Sequence, residues 1–103
     1  MPRPRKHRQC REFDGDRVFK PRSIPMRELH TIRLGLDELE AMRLCDLENQ
    51  DQRSAGRSMG VSRGTVQRLL GSGRAKVLKA LLDSAALVIV KEESHAVVKA
   101  KAG

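Results

Sequence analysis

The twenty residues from Asp51 to Leu70 constrain the fold more than any other part of the chain. They read DQRSAGRSMGVSRGTVQRLL. Asp51 suits the N-cap of a short first helix, Gly60 suits a turn with positive φ, and Ser62 suits the N-cap of a second helix. Small or apolar residues occupy the positions where two such helices would touch: Ala55, Gly56, Met59, Val61, Val66 and Leu69. This register predicts a helix-turn-helix, a unit whose second helix enters a DNA major groove.

Charge along the chain is concentrated rather than scattered. Residues 53–79 hold seven basic residues and no acidic one, whereas residues 28–52 hold seven acidic residues and two basic ones. A solvated helix surface normally mixes the two signs. The formal net charge of +8, together with this distribution, indicates a polyphosphate partner, which we expect to be double-stranded DNA.

Residues 1–27 form a basic segment that contains all four prolines and has no helical period. We expect an extended N-terminal arm, in which Arg3, Arg5 and Lys6 would lie in a DNA minor groove, where arginine is favoured. A disordered, solubilising tail is the alternative interpretation.

The remaining elements follow from periodicity. Leu36 to Glu48 has a broad apolar face and predicts a helix, with Asp37 and Glu40 at capping-box spacing. A long helix is expected from Arg63 to about Leu82, with a kink or break where Gly71 and Gly73 lower helix propensity. Apolar, β-branched segments predict short strands at 30–34 and 86–90 that pair with each other.

These elements predict a mainly α fold, with a helix-turn-helix, a small two-stranded β element and an extended basic N-terminal arm. The expected organisation is an arm at 1–27, a DNA-binding domain at 28–91 and a flexible tail at 92–103. One edge of the 87–90 strand would remain free, and a homodimer is expected to form through it.

Within the helix-turn-helix, the outward residues of the second helix are expected to reach the DNA. The residues predicted to contact bases are Arg63, Gly64, Gln67 and Arg68, with Gly64 giving close backbone approach. Those predicted to contact phosphates are Arg53, Arg57, Ser62, Thr65, Arg74, Lys76 and Lys79.

Other classes of site and location find little support in the sequence. His7, Cys10, His30 and Cys45 lack the paired spacing of a zinc site, so no metal or cofactor is expected. No phosphate loop, serine elbow or acid–base cluster is present, so an enzyme is not expected. With no secretion signal and no apolar run of membrane-spanning length, we expect a cytoplasmic protein without membrane contact.

The segments LGLDELEAMRLCDLE and DQRSAGRSMGVSRGTVQRLL resemble region four of sigma-seventy-type sigma factors. A closer resemblance is to a small, uncharacterised prokaryotic family of predicted DNA-binding proteins. The similarity rests on the opening PRPRK and on FKP, IPMREL, LDELEAMRL, MGVSR and an ALxI strand, and it covers about residues 1–90. It implies DNA binding and transcriptional regulation.

The sequence therefore predicts sequence-preferring duplex DNA binding by a transcriptional regulator. One alternative is a protein-interaction module that binds RNA polymerase or another regulator through the acidic helix 37–48. A second alternative is RNA binding, which is disfavoured because only two phenylalanines are available to stack on bases.

Overall fold

The computed structural model describes residues 8–91 and the backbone of residues 95–98. Within these residues the chain is a small α/β domain with three α-helices: α1 (Leu36–Met42), α2 (Gln52–Met59) and α3 (Arg63–Asp83). The described strands are β1 (Arg8–Arg11), β2 (Val18–Phe19), β3 (Thr31–Gly35), β4 (Ala86–Val90) and β5 (His95–Val98). A 3-10 turn covers Met26–Glu28, and a π-helical turn, Arg43–Leu47, continues α1.

Strand β4 lies at the centre of a three-stranded mixed sheet. It pairs with β3, as the sequence predicts. This pairing is parallel, and β4 pairs antiparallel with β2 on its other edge. The three helices supply the long crossover that a parallel pair requires. The expectation of a mainly α fold with only two strands is therefore wrong.

The edge of β4 expected to mediate dimerisation is covered by this chain itself. Val18 and Phe19 pair with Val88 and Leu87, and the Ile89 amide donates to the Arg17 carbonyl at 2.8 Å. A buried, apolar strand gains from hydrogen bonding on both edges. Homodimerisation through that edge is thus excluded by the structure.

Strands β1 and β5 form a second, parallel ladder. In the predicted organisation residues 8–11 belong to the arm and residues 95–98 to the tail, but both segments form paired strands. Cys10 in β1 is fully buried in the apolar core, and this burial fixes the strand against the helices. Residues 1–7, which carry Arg3, Arg5 and Lys6, and the other tail residues lie outside the described part of the chain.

The N-cap of helix α1 lies two residues earlier than the capping-box spacing suggested. Gly35 is the N-cap, and its amide donates to the Glu38 Oε1 atom at 2.8 Å. The pair at capping-box spacing, Asp37 and Glu40, does not cap the helix. Regular α-helix ends at Met42, before the π-helical turn, rather than continuing to Glu48.

The caps predicted around α2 and α3 are present. Asp51 Oδ1 accepts the Ser54 amide at 2.7 Å, and Ser62 Oγ accepts the Thr65 amide at 3.1 Å. Gly60 ends α2 with φ of +70°, in the left-handed region where glycine is favoured.

Helix α3 is continuous through Gly71 and Gly73, so it has no break there. A Cβ atom on Gly73 would lie 2.8 Å from Met42 Sδ and 3.2 Å from Glu38 Cβ. Gly73 therefore allows α1 to pack closely on α3. Packing against α1 offsets the low helix propensity at this position.

Thiol reactivity tests the packing of β1. Burial, with the nearby carboxylates of Asp37 and Glu40, raises the pKa of the Cys10 thiol to about 12. In a Cys45→Ser variant, we expect iodoacetamide near neutral pH to leave native Cys10 unmodified, because the thiolate is the reactive form. The same variant in urea should be alkylated readily. Equal rates in the native and unfolded protein would contradict a packed β1.

Candidate nucleic-acid interface

Three carboxylates are buried on the first turns of α1. Asp37, Glu38 and Glu40 are each at most 5% exposed. A buried carboxylate is costly unless cations and hydrogen-bond donors compensate for lost hydration. Helix α1 therefore needs cationic partners from other parts of the chain.

Glu38 obtains its cation from α3. Lys76 Nζ donates to Glu38 Oε1 at 2.8 Å, and Ser72 Oγ donates to Glu38 Oε2. With the Gly35 amide, three donors surround this carboxylate. Lys76, one of the predicted phosphate contacts, is thus held in a structural ion pair between α1 and α3.

The other two carboxylates are paired with arginines, two of them on β1. Arg8 Nη1 lies 2.9 Å from Asp37 Oδ2, and Arg11 Nε lies 2.8 Å from Glu40 Oε2. Arg43 Nη2 lies 2.9 Å from Glu40 Oε1, in an ion pair without hydrogen-bond geometry. These contacts attach β1 to α1, so Arg8 and Arg11 have a structural role.

Two further predicted phosphate contacts are also ion-paired. Arg74 binds the exposed Asp46 carboxylate with two hydrogen bonds, of 3.1 Å from Nε and 2.6 Å from Nη2. These bonds lower the pKa of Asp46 below its usual value. Lys79 Nζ donates to Asp83 Oδ2 at 2.8 Å, which raises the pKa of Lys79. The positive charge on the second half of α3 is therefore largely balanced.

The first half of the basic stretch 53–79 differs from the second half, because its cations are not ion-paired. Its four arginines are exposed and have no ion pair with any other residue in the described part of the chain: Arg53, Arg57, Arg63 and Arg68. Unbalanced positive charge is thus concentrated on α2 and on the N-terminal half of α3.

Short-range hydrogen bonds orient two of these arginines. Arg57 Nη2 donates to Ser54 Oγ at 3.0 Å, and Arg68 Nη2 donates to Thr65 Oγ1 at 3.1 Å. Thr65 Oγ1 is also 3.0 Å from Ser62 Oγ. Because each acceptor precedes its arginine by three residues, both guanidinium groups lean towards the N-termini of their helices.

The predicted base contacts occupy one outward face of α3. Arg63, Gln67 and Arg68 are exposed, and Gly64 is half-buried between them. A Cβ atom on Gly64 would lie 3.8 Å from Arg68 Nη1, so no close contact within the described residues requires glycine there. Glycine leaves the backbone accessible on this face.

The N-termini of α2 and α3 open onto a common concave surface. It is lined by Asp51, Gln52, Arg53 and Arg63. The Asp51 carboxylate accepts hydrogen bonds from the backbone amide and the hydroxyl of Ser54, and these bonds lower its pKa. Asp51 therefore caps the N-terminus of α2. Arg53 and Arg63 are left as the cations beside two helix N-termini, a location that favours anions.

Sequence reasoning missed the buried role of α1 and the position of β1. A Cβ atom on Gly60 would lie 3.9 Å from Gln9 Cδ, which places β1 against the turn between α2 and α3. The acidic residues next to Leu36 and Ala41 in a helix with a broad apolar face were the available signal. Their partners lie 29 to 38 residues away along the chain, beyond any local pattern.

Among residues 8–91, no group of three or more His, Cys, Asp or Glu side chains is arranged to hold a metal ion. His7 lies outside the described residues. None of the described helices combines the length and apolar character needed to cross a membrane.

Comparison with known proteins places the chain in a family. The family described as "Protein of unknown function DUF134" matches residues 1–96. The chain belongs to this family. It is 47% identical over 89 residues to a UPF0251 protein of Pelotomaculum thermopropionicum, a match covering 86% of this chain and 67% of that protein.

Other relatives differ in length. The chain is 44% identical to a UPF0251 protein of Rhodospirillum rubrum over 86% of its own length and 62% of the relative's. With the UPF0251 protein of Shewanella sediminis it shares 43% identity over 92% of this chain and 99% of the relative. The matched region thus spans only about three-fifths of some relatives. No solved structure matches the chain significantly.

Replacing Lys76 by Met tests the division between paired and unpaired cations. The variant keeps the aliphatic stem but removes the ammonium from buried Glu38. We expect a loss of about 1–3 kcal/mol in unfolding free energy. Arg68→Met, the matched change on the same helix, should alter stability by less than about 0.5 kcal/mol. Thermal unfolding measures both. Equal losses would contradict this division.

Proposed function

We propose that the chain binds duplex DNA through α2 and the N-terminal half of α3, acting as a helix-turn-helix. One observation carries the proposal. Of the seven basic residues at 53–79, the four in the first half lack internal ion pairs, and the three in the second half are paired. Exposed arginines without ion pairs, two of them (Arg53 and Arg63) beside helix N-termini, suit a polyphosphate.

In this proposal α3 enters the major groove with its N-terminal half. Arg63 and Arg68 would pair with guanine edges and Gln67 with adenine, the pairings that their donor and acceptor geometry favours. Gly64 would permit close approach of the α3 backbone. The exposure of this face and the orientation of Arg68 by Thr65 support these roles.

The phosphate contacts form a smaller set than the sequence predicts. Arg53 and Arg57 on α2, with Ser62 and Thr65 at the start of α3, remain suited to phosphate oxygens. Arg74, Lys76 and Lys79 would have to leave Asp46, Glu38 and Asp83 to make such contacts, and we omit them from the interface. The sequence-based assignment is therefore narrowed to the first half of the basic region.

The N-terminal arm would add contacts beside this interface. Gln9 packs near Gly60, so the chain enters the described structure next to the α2–α3 turn. We propose that Arg3, Arg5 and Lys6 reach the adjacent minor groove, as basic arms of other DNA-binding proteins do. The combined interface would give sequence-preferring binding and suit a transcriptional regulator.

The alternative partners find less support. The helix 37–48 would present an acidic surface to a protein partner, but Asp37, Glu38 and Glu40 face inward and are paired. RNA binding would benefit from aromatic side chains that stack on bases, and the whole sequence contains two aromatic residues, Phe13 and Phe19.

The salt dependence of binding tests the proposal. Fluorescence anisotropy with a labelled duplex should give a plot of log affinity against log salt with a slope of about −4 or steeper. Arg53, Arg57 and the three basic residues of the arm would each neutralise about one phosphate, at roughly 0.9 per contact. Arg57→Ala should make the slope shallower by about 0.9.

Arg74→Ala is the matched control, since it removes the same side chain from an ion-paired position in the same basic stretch. Its slope should equal that of the unaltered protein. A slope near zero for the unaltered protein would overturn DNA binding. An equal change in both variants would overturn the proposed location of the interface.

A further inference from the structure

The second half of α3 exposes three leucines on its outer side. Leu78, Leu81 and Leu82 are 56%, 72% and 74% exposed. Their spacing of three and four residues places them on one side of the helix. Large apolar side chains clustered in this way indicate a contact surface, whereas single exposed leucines are common.

A groove beside Leu81 extends this apolar surface. It has a volume of about 350 Å³ and runs between α3 and the β2–β4 edge of the sheet. Phe19 on its far wall is 54% exposed. The other main lining residues are Pro21, Val77 and Leu87. We refer to the three leucines as the leucine face; at about 3.6 residues per turn the groove adjoins its Leu81 side, and Lys79 and Asp83 lie beyond its Leu82 side.

Charges beside the leucine face are self-complementary. Lys79 and Asp83 lie four residues apart on one flank of α3, equally far along the chain from Leu81. Two such helices packed antiparallel about a two-fold axis near Leu81 would place each Lys79 opposite the Asp83 of the other copy. Same-flank pairs of this kind face each other whenever identical helices associate antiparallel.

We propose that a second copy of this chain occupies the leucine face, with the two α3 helices antiparallel about a two-fold axis near Leu81. Leu78 and Leu82 would face the other helix, with Leu81 at one margin of the contact and Lys79 and Asp83 at the other. Lys79 and Asp83 would form two ion pairs across the interface. The antiparallel arrangement also keeps the unpaired arginines of the two copies at opposite ends, whereas a parallel one would bring them together.

The arrangement has a consequence that rests on the proposed DNA binding. Fourteen residues separate Gln67 from Leu81, so the two Gln67 side chains would be about 40 Å apart at a rise of 1.5 Å per residue. Crossing of the helices shortens this distance towards the 34–36 Å between half-sites one DNA turn apart. Self-association itself does not depend on DNA.

Sedimentation equilibrium of the full chain at micromolar concentrations, without DNA, tests the proposal. The mass should approach twice the 11.5 kDa of one chain. Leu82→Glu should give a monomer with unchanged circular dichroism. Leu47→Glu is the matched control, because Leu47 is 78% exposed but lies outside the leucine face; it should remain a dimer.

Charge reversal at the flank tests the antiparallel register. Lys79→Glu and Asp83→Lys should each raise the dimer dissociation constant at least about tenfold, because each variant places like charges opposite one another. Both variants lose the i, i+4 pair within α3. An equimolar mixture of the two should regain the dimer mass, since only the mixed dimer restores opposite charges across the axis.

The outcomes separate the alternatives. A monomeric unaltered protein would overturn the proposal, and so would dissociation by Leu47→Glu with persistence of the dimer in Leu82→Glu. Failure of the mixture to associate better than either variant alone would overturn the antiparallel register. None of these results bears on DNA affinity, which the anisotropy measurement tests separately.

Discussion

Burial of the α1 carboxylates is the constraint on which the rest of the structure depends. Three acidic side chains enter the interior within four residues, and each requires a cation. Those cations come from β1, from the π-helical turn and from the second half of α3. Neutralising α1 therefore assembles distant segments of the chain around one helix.

The same constraint separates structural cations from available ones. Lys76 stabilises the buried Glu38 carboxylate. Arg74 and Lys79 bind the exposed carboxylates of Asp46 and Asp83. The arginines of α2 and early α3 form no ion pair within the described residues and face solvent. A single basic stretch in the sequence thus becomes two regions, one that supports the fold and one that we propose binds DNA.

Local chemistry made part of this structure predictable. The cap at Asp51, the glycine at Gly60 and the cap at Ser62 depend on residues within a few positions of one another, and all three are present. The pairing of β1 with β5 joins residues more than 80 positions apart and leaves no periodic signal. The break predicted at Gly73 was wrong for the same reason, because the role of this glycine depends on the proximity of Met42, which lies 31 residues earlier in the chain.

Hydrogen exchange measured with and without duplex DNA tests the central claim most directly. The account predicts added protection in residues 52–68, covering α2, the turn and the first half of α3. Exchange in α1 and in residues 74–83 should change little, because their charged side chains are already paired within the protein. Protection centred on α1 or on the second half of α3, or no change in any segment, would contradict the account.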